Sequence, residues 1–348
     1  MVIKQMAQIK ISKNFLKNAK EILNLIKKSN PIIIHRHINP DGDALGSQWG
    51  LKTLIEENFR NKKVLVPGDM TEYMLKFFPP AMIVNSKDYE NALVIVCDTA
   101  NRERISGQFW QTAKNIIKID HHPEVDNYGT LNLVESSAVA ACQVVAKWAK
   151  MMKLKLSNDA ARYLFFGLVT DSGRFMYRSV NNETFDIASF LVATNFSLLD
   201  LYEKLYLQDL KTTRIKGYIL NNFQVTKNGV AYIIVTKETL KKLEQQLNQQ
   251  LTEDKEKITI LQEDITSQVN LMANIATIKI WFIACQSEID NEFKISIRSA
   301  RWTINQLAVK FGGGGHKYAA GVKVKNLSIV ENLLHDLDNL ANSEPNVK

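Results

Sequence analysis

Cysteine is scarce in this chain. Three cysteines in 348 residues, Cys97, Cys142 and Cys285, are too few, too widely spaced and odd in number to form a disulfide framework. That fits a reducing compartment, and Cys97, at the end of the apolar run Ala92–Cys97, reads as a small buried hydrophobe. Long apolar stretches are missing too. The most apolar window, Leu271–Cys285, carries Lys279 and is too short to cross a bilayer. The Lys-rich start, Met1–Lys20, lacks the continuous apolar segment of a secretory signal. A cytoplasmic location with no membrane span is therefore expected. No internal repeat is visible. Negative charge is in deficit: 36 acidic against 44 basic residues give a net charge of +8 and a pI of about 9.1. Such a balance attracts polyanions such as nucleotides or RNA. Codon bias explains it equally well, because lysine outnumbers arginine 34 to 10. Charge alone assigns nothing.

What is present describes a soluble globular protein, 45% hydrophobic and 23% charged, long enough for two domains. Short apolar runs, Pro31–Ile34, Lys63–Val66, Ala92–Cys97 and Asn115–Ile119, alternate with amphipathic segments in the first half. Alternating strands and helices imply βαβ units and a mostly parallel sheet, with ligands beyond the carboxyl ends of the strands. From Ser179 to Phe223 the pattern turns helical, and an interdomain connection is placed within Gln208–Lys216. The predicted division is a first domain over 1–207, a helical linker over 208–222 and a smaller α/β domain over 223–348. In that last part Gly229–Val235, Thr277–Ala284 and Phe293–Arg298 read as strands, followed by a helix and the loop Gly312–His316. Lys237–Gln262, rich in Lys, Glu and Gln, reads as a solvated helix or a disordered insertion.

Five of the six histidines, His35, His37, His121, His122 and His316, lie in glycine- or carboxylate-rich motifs. The first motif runs from His37 through Pro40, Asp41, Gly42 and Asp43 to Ser47, directly after a strand. One imidazole and two carboxylates on a tight turn supply N and O ligands for a divalent metal. The following helix adds its N-terminal amides, which favour bound phosphate. Helix capping would explain one of these carboxylates but neither the second nor His37. Next comes Asp98, at the end of an apolar strand, where a carboxylate can bridge two metals or simply cap a helix. Then follow Asp120-His121-His122, whose adjacent rings point different ways, with Asp120 placed to orient an imidazole. Last is Asp171 in Thr170-Asp171-Ser172-Gly173, at a helix end.

With these residues the chain resembles the DHH phosphoesterase superfamily, and Ser296–Ser299 with Phe311–Gly321 resemble its DHH-associated C-terminal domain. The resemblance spans residues 30–325 and implies a division of labour. His37, Asp41 and Asp98 would hold one metal ion, and Asp43, Asp98, His121 and Asp171 a second, both manganese by family habit. His122 would meet the phosphate and help the departing oxygen, and Asp120 would buttress the histidines. A water shared by two cations about 3.5–4 Å apart attacks phosphorus at neutral pH. In the second domain Arg298, Ser299, Gly312, Gly313, Gly314, Gly315 and His316 would bind the substrate, the glycines by close backbone approach to an anion.

Two-domain chains of this length with the Gly-Gly-Gly-Gly-His signature resemble small bacterial oligoribonucleases, or nanoRNases. That group includes phosphatases of 3′-phosphoadenosine 5′-phosphate (PAP). The expected partner is thus short RNA or a small nucleotide, with a homodimer left open. A cyclic or linear di-AMP phosphodiesterase is the alternative, and a catalytically inactive nucleotide-binding module a second. At Ala140–Gln143 relatives often carry Ser or Thr followed by Glu, which leaves the contacts around the metal site to be settled.

Overall fold

The computed structural model describes residues 13–177, 179–249 and 257–345. The first twelve residues of the Lys-rich start, and residues 250–256 of the charged segment, lie outside the described residues. The chain divides into two compact units, Met1–Tyr206 and Leu207–Lys348. Among the described residues no helix is long and apolar enough to cross a membrane.

The first unit runs α1 (Lys13–Lys28), β1 (Ile32–His35), α2 (Gly42–Asn58), β2 (Val64–Leu65), β3 (Leu93–Cys97), β4 (Asn115–Asp120), β5 (Leu131–Val134), α3 (Ala141–Met151), α4 (Asn158–Asp171), α5 (Asn182–Val192) and α6 (Leu198–Tyr206). All five strands are parallel, in the order β2-β1-β3-β4-β5. A parallel strand is buried on both faces, which is why β1 and β3 read as unbroken apolar runs. Ile32, Ile34, Leu93, Ile95, Ile117 and Ile119 join the helical core. Ile33, Val94, Val96 and Ile116 pack on the opposite face with Tyr89 and Trp110. Short helical turns at Ser86–Tyr89 and Trp110–Thr112 contribute those two aromatic rings. α1 is amphipathic and buries Phe15, Ala19, Ile22 and Ile26.

α2 and α4 approach closely because glycines face the partner helix. A Cβ on Gly46 would lie 2.6 Å from the Tyr163 carbonyl oxygen and 2.9 Å from Cys142 Sγ. That contact carries the functional geometry, since Asp43 sits in the first turn of α2 and Asp171 is the last residue of α4. The strand order reverses direction between β1 and β3. His37 follows β1 and Asp98 follows β3, so both stand at the topological switch point where open α/β sheets bind ligands.

The second unit runs α7 (Leu210–Asn222), β6 (Gln224–Val225), β7 (Val230–Val235), α8 (Lys237–Gln249), α9 (Gln262–Thr266), β8 (Ile280–Gln286), β9 (Phe293–Ser299), α10 (Asn305–Lys310), β10 (Gly314–His316), β11 (Ala319–Val324) and α11 (Leu327–Asn342). Its six strands lie in the order β10-β11-β9-β8-β7-β6, with only β7 and β8 parallel. Val330, Leu333 and Leu337 of α11 cover one face. Ile215 and Ile219 of α7 and Leu240, Leu243 and Leu247 of α8 cover part of the other. The described part of the charged segment is therefore not wholly solvated: a leucine stripe at helical spacing docks it on the sheet.

Candidate metal and phosphate site

The site begins with a turn. His37 pairs with Ile105 in an isolated bridge, and its Nδ1–H donates to the Ile38 carbonyl at 2.8 Å. This bond fixes the ring so that Nε2 faces inward, 3.3 Å from Asp98 Oδ2 and 3.8 Å from Asp41 Oδ2. Asp41 caps α2: its Oδ1 accepts from the amides of Asp43 and Ala44, each at 3.0 Å. Capping uses one oxygen and leaves the other toward His37, so both readings of this residue hold at once.

Asp43 is buried, and its two oxygens accept from the N-terminal amides of α3, Ala141 at 2.6 Å and Cys142 at 2.9 Å. Ala141 and Cys142 need no polar side chain for this, because the backbone donates and the helix end favours negative charge. At Ala140–Gln143 the contact to Asp43 is thus made by backbone amides. Asp98 follows β3 with φ +49°, a left-handed conformation that aspartate tolerates better than most residues. It is buried, and its Oδ1 accepts no hydrogen bond among the described residues.

His121 Nδ1–H donates to the Ala138 carbonyl at 3.3 Å. Its Nε2 then lies 3.5 Å from Asp98 Oδ1, 3.5 Å from Asp171 Oδ2 and 3.8 Å from Asp43 Oδ2. His122 takes a different partner: its Nδ1–H donates to Asp120 Oδ1 at 2.8 Å, and Nδ1 stands 3.6 Å from Asp98 Oδ1. The same oxygen accepts the amides of His121 and His122. The donor atoms fall into three groups, each within 4.8 Å: His37, Asp41 and Asp98; Asp43, His121 and Asp171; and Asp98, His121 and His122. All six residues expected to be ligands lie in these groups; Asp98 and His121 are each common to two, and His122, expected to meet the phosphate, shares one with them.

The chemistry of the donor set fits divalent cations. Burial disfavours a charged His37 ring, yet the Asp41 and Asp98 carboxylates outweigh it and push its pKa up to about 10. His121 is raised to about 10 against the same burial by Asp98, Asp43 and Asp171. Burial, with Asp98 and Asp41 nearby, lifts Asp171 to about 6, and burial with Asp98 and Asp171 holds Asp43 well above the carboxylate range. A cluster that draws protons so strongly is short of positive charge, and the orphaned oxygen of Asp98 faces into it.

His35 is not part of the site. It is buried, with Nδ1 donating to the Ser106 carbonyl and Nε2 accepting from Tyr89, and burial lowers its pKa to about 4. Two cations with no solvent exposure, Arg36 and Lys118, escaped the sequence reading. Arg36 donates to the His37 carbonyl and to Gln48 of α2, bracing the first turn. In the sequence each breaks an apolar or histidine-bearing run, which was the available signal.

In the second unit, β9, β11 and β10 bring Arg298, Ala319 and His316 abreast. Ser299 points the opposite way: it is buried, and its Oγ accepts the Trp302 amide at 2.7 Å. The four glycines divide as well. Gly312 and Gly315 have φ +77° and +139°, and a Cβ on Gly313 would overlap the Gly321 carbonyl oxygen. Only Gly314 has neither a left-handed backbone nor a neighbour within 4 Å of a Cβ.

Residues 31–168 match the DHH family, N-terminal domain, and residues 254–343 match the DHHA1 domain. The chain is 37% identical over 321 residues to a Streptococcus mutans protein named probable bifunctional oligoribonuclease and PAP phosphatase NrnA, covering 92% of this chain and 98% of that one. It is 33% identical to the Bacillus subtilis bifunctional oligoribonuclease and PAP phosphatase NrnA, covering 92% and 97%. A crystal structure of an exopolyphosphatase-related protein from Bacteroides fragilis shares the fold, with TM-score 0.75 at 23% identity over 94% of this chain and 98% of that one. The chain therefore belongs to the DHH phosphoesterase family, in the branch that joins a DHH domain to a DHHA1 domain.

Proposed function

We propose that this enzyme hydrolyses phosphoester bonds in short oligoribonucleotides and in PAP, acting in the cytoplasm with two divalent cations, manganese first among the candidates. The observation that carries the reading is Asp98, whose two oxygens face different imidazoles, Oδ2 toward His37 and Oδ1 toward His121, at the switch point of the sheet. His37, Asp41 and Asp98 would hold one cation, and Asp43, Asp98, His121 and Asp171 the other. A pair of cations so held supplies charge for the phosphoryl oxygens and acidifies the attacking water. His122 donates through Nδ1 to Asp120, which leaves Nε2 to meet the phosphate and assist the departing oxygen. Arg298, Gly314 and His316 offer a cationic, close-approach surface to the nucleotide. The substrate class is supported by the names of relatives that match over almost their whole length.

The test is a parallel assay of a diribonucleotide, PAP and cyclic di-AMP with manganese, after chelation and after manganese is restored. The first two should be hydrolysed, lose hydrolysis on chelation and regain it with manganese. Turnover of cyclic di-AMP alone would overturn the substrate reading. Full activity in metal-free buffer would overturn the cation reading.

A further inference from the structure

Lys118 is an unusual residue for the middle of a parallel strand. It lies between Ile117 and Ile119 of β4, and its side chain has no solvent exposure. A buried ammonium persists only where partners replace water on all its N–H groups. Its Nζ donates to the Ala100 carbonyl at 2.8 Å and the Asp126 carbonyl at 3.1 Å, and stands 3.3 Å from Asp120 Oδ2. The Tyr128 ring covers it at 4.9 Å. Asp120 is equally buried, and Oδ2 accepts no hydrogen bond among the described residues. The ammonium is thus the charge that offsets this oxygen, while Oδ1 serves His122.

The geometry points to Lys118 as a positioning residue: it anchors the far oxygen of Asp120, the carboxylate that fixes the direction and tautomer of His122, and ties it to the loop that follows Asp98. The inference rests on the reading of His122 given above. Ala100 lies two residues beyond Asp98, and Asp126 lies in the segment that follows His122, so a single cation clamps both active-site loops. The role does not require Lys118 to touch substrate or cation.

The experiment measures kcat, KM and bound metal with a diribonucleotide and manganese. It also follows the His122 Nδ1–H proton by NMR in 15N-histidine protein loaded with diamagnetic magnesium. Loss of such a supporting contact typically costs about 10–100-fold. Lys118→Met should lower kcat by about that factor, leave KM within about threefold and metal content unchanged, and weaken or abolish the Nδ1–H signal. In a His122→Ala background the same substitution should cost nothing further. A further tenfold loss in that background, or loss of metal, would overturn the inference. Should Lys118→Met fail to fold, Lys118→Met/Asp120→Asn leaves no lone buried charge. Its kcat should equal that of Asp120→Asn, and a lower value would overturn the inference equally. Wild type without metal-dependent turnover would instead sink the functional reading, and the NMR signal would still decide the role of Lys118.

Discussion

The amide of Cys142 donates to Oδ1 of Asp43 at 2.9 Å, joining residues 99 positions apart. With the Ala141 amide it gives this side chain two hydrogen bonds at a helix N-terminus, where backbone donors favour the ionised form. These bonds aim Asp43 at His121 and oppose the burial and like charges that act on it.

Gly167 keeps that arrangement open, since a Cβ there would overlap Cys142 Sγ and come 3.0 Å from Asp43 Cα. Gly167→Ala should lower stability by about 1–3 kcal/mol and weaken metal binding. Urea unfolding and metal titration calorimetry check both. Gly217→Ala, in α7 with nothing within 4 Å, is the control and should stabilise by up to about 1 kcal/mol. Wild-type metal affinity in Gly167→Ala would refute the link.

Asp98 belongs to two donor groups and Asp41 to one. Asp98→Asn should therefore reduce bound metal more than Asp41→Asn does, and lower turnover by at least about 10²-fold. Metal analysis of the purified variants, beside wild type, decides the order. Equal loss in the two would remove Asp98 from its bridging role.

His121 and His122 are neighbours whose rings take different partners, the Ala138 carbonyl and Asp120. His122→Ala should keep metal while losing about 10²–10⁴-fold in turnover, whereas His121→Ala should lose metal. If both variants shed metal alike, the assignment of His122 to the phosphate is wrong.

On the second unit, Gly314→Ala should leave thermal stability unchanged and raise KM, because nothing in the fold crowds a Cβ there. Gly313→Ala should instead destabilise, through the Gly321 carbonyl. Arg298→Ala should impair both turnover and binding. Across RNAs of two to about twenty-five nucleotides, the wild type should favour the shortest, up to about pentamers. A rate that climbs with length would indicate a processive exonuclease instead.

Much of this was legible in the chain itself. Ala92–Cys97 reads as a strand because strands buried on both faces are continuously apolar, Asn115–Ile119 does so despite Lys118, and the acidic and histidine motifs follow them directly. β5 escaped notice: Leu131–Val134 is four residues long and includes the polar Asn132. The support for Asp43 was illegible for a different reason. Its donors are backbone amides, present whatever side chains Ala141 and Cys142 carry. Arg298 and Ser299 are both expected to bind substrate, but strand alternation sends these adjacent residues to opposite faces. The leucine stripe of α8 was masked by the lysines, glutamates and glutamines around it.

The left-handed backbone of Asp98 also bears on how this catalyst can be lost. Few residues accept φ +49° without strain, and asparagine shares that tolerance with aspartate. The two amino acids are a single nucleotide change apart. An Asp98→Asn mutant would keep the turn and the sheet while giving up the carboxylate that faces both His37 and His121. One transition mutation at this codon is enough to take a carboxylate out of two donor groups without disturbing the backbone that gathers them.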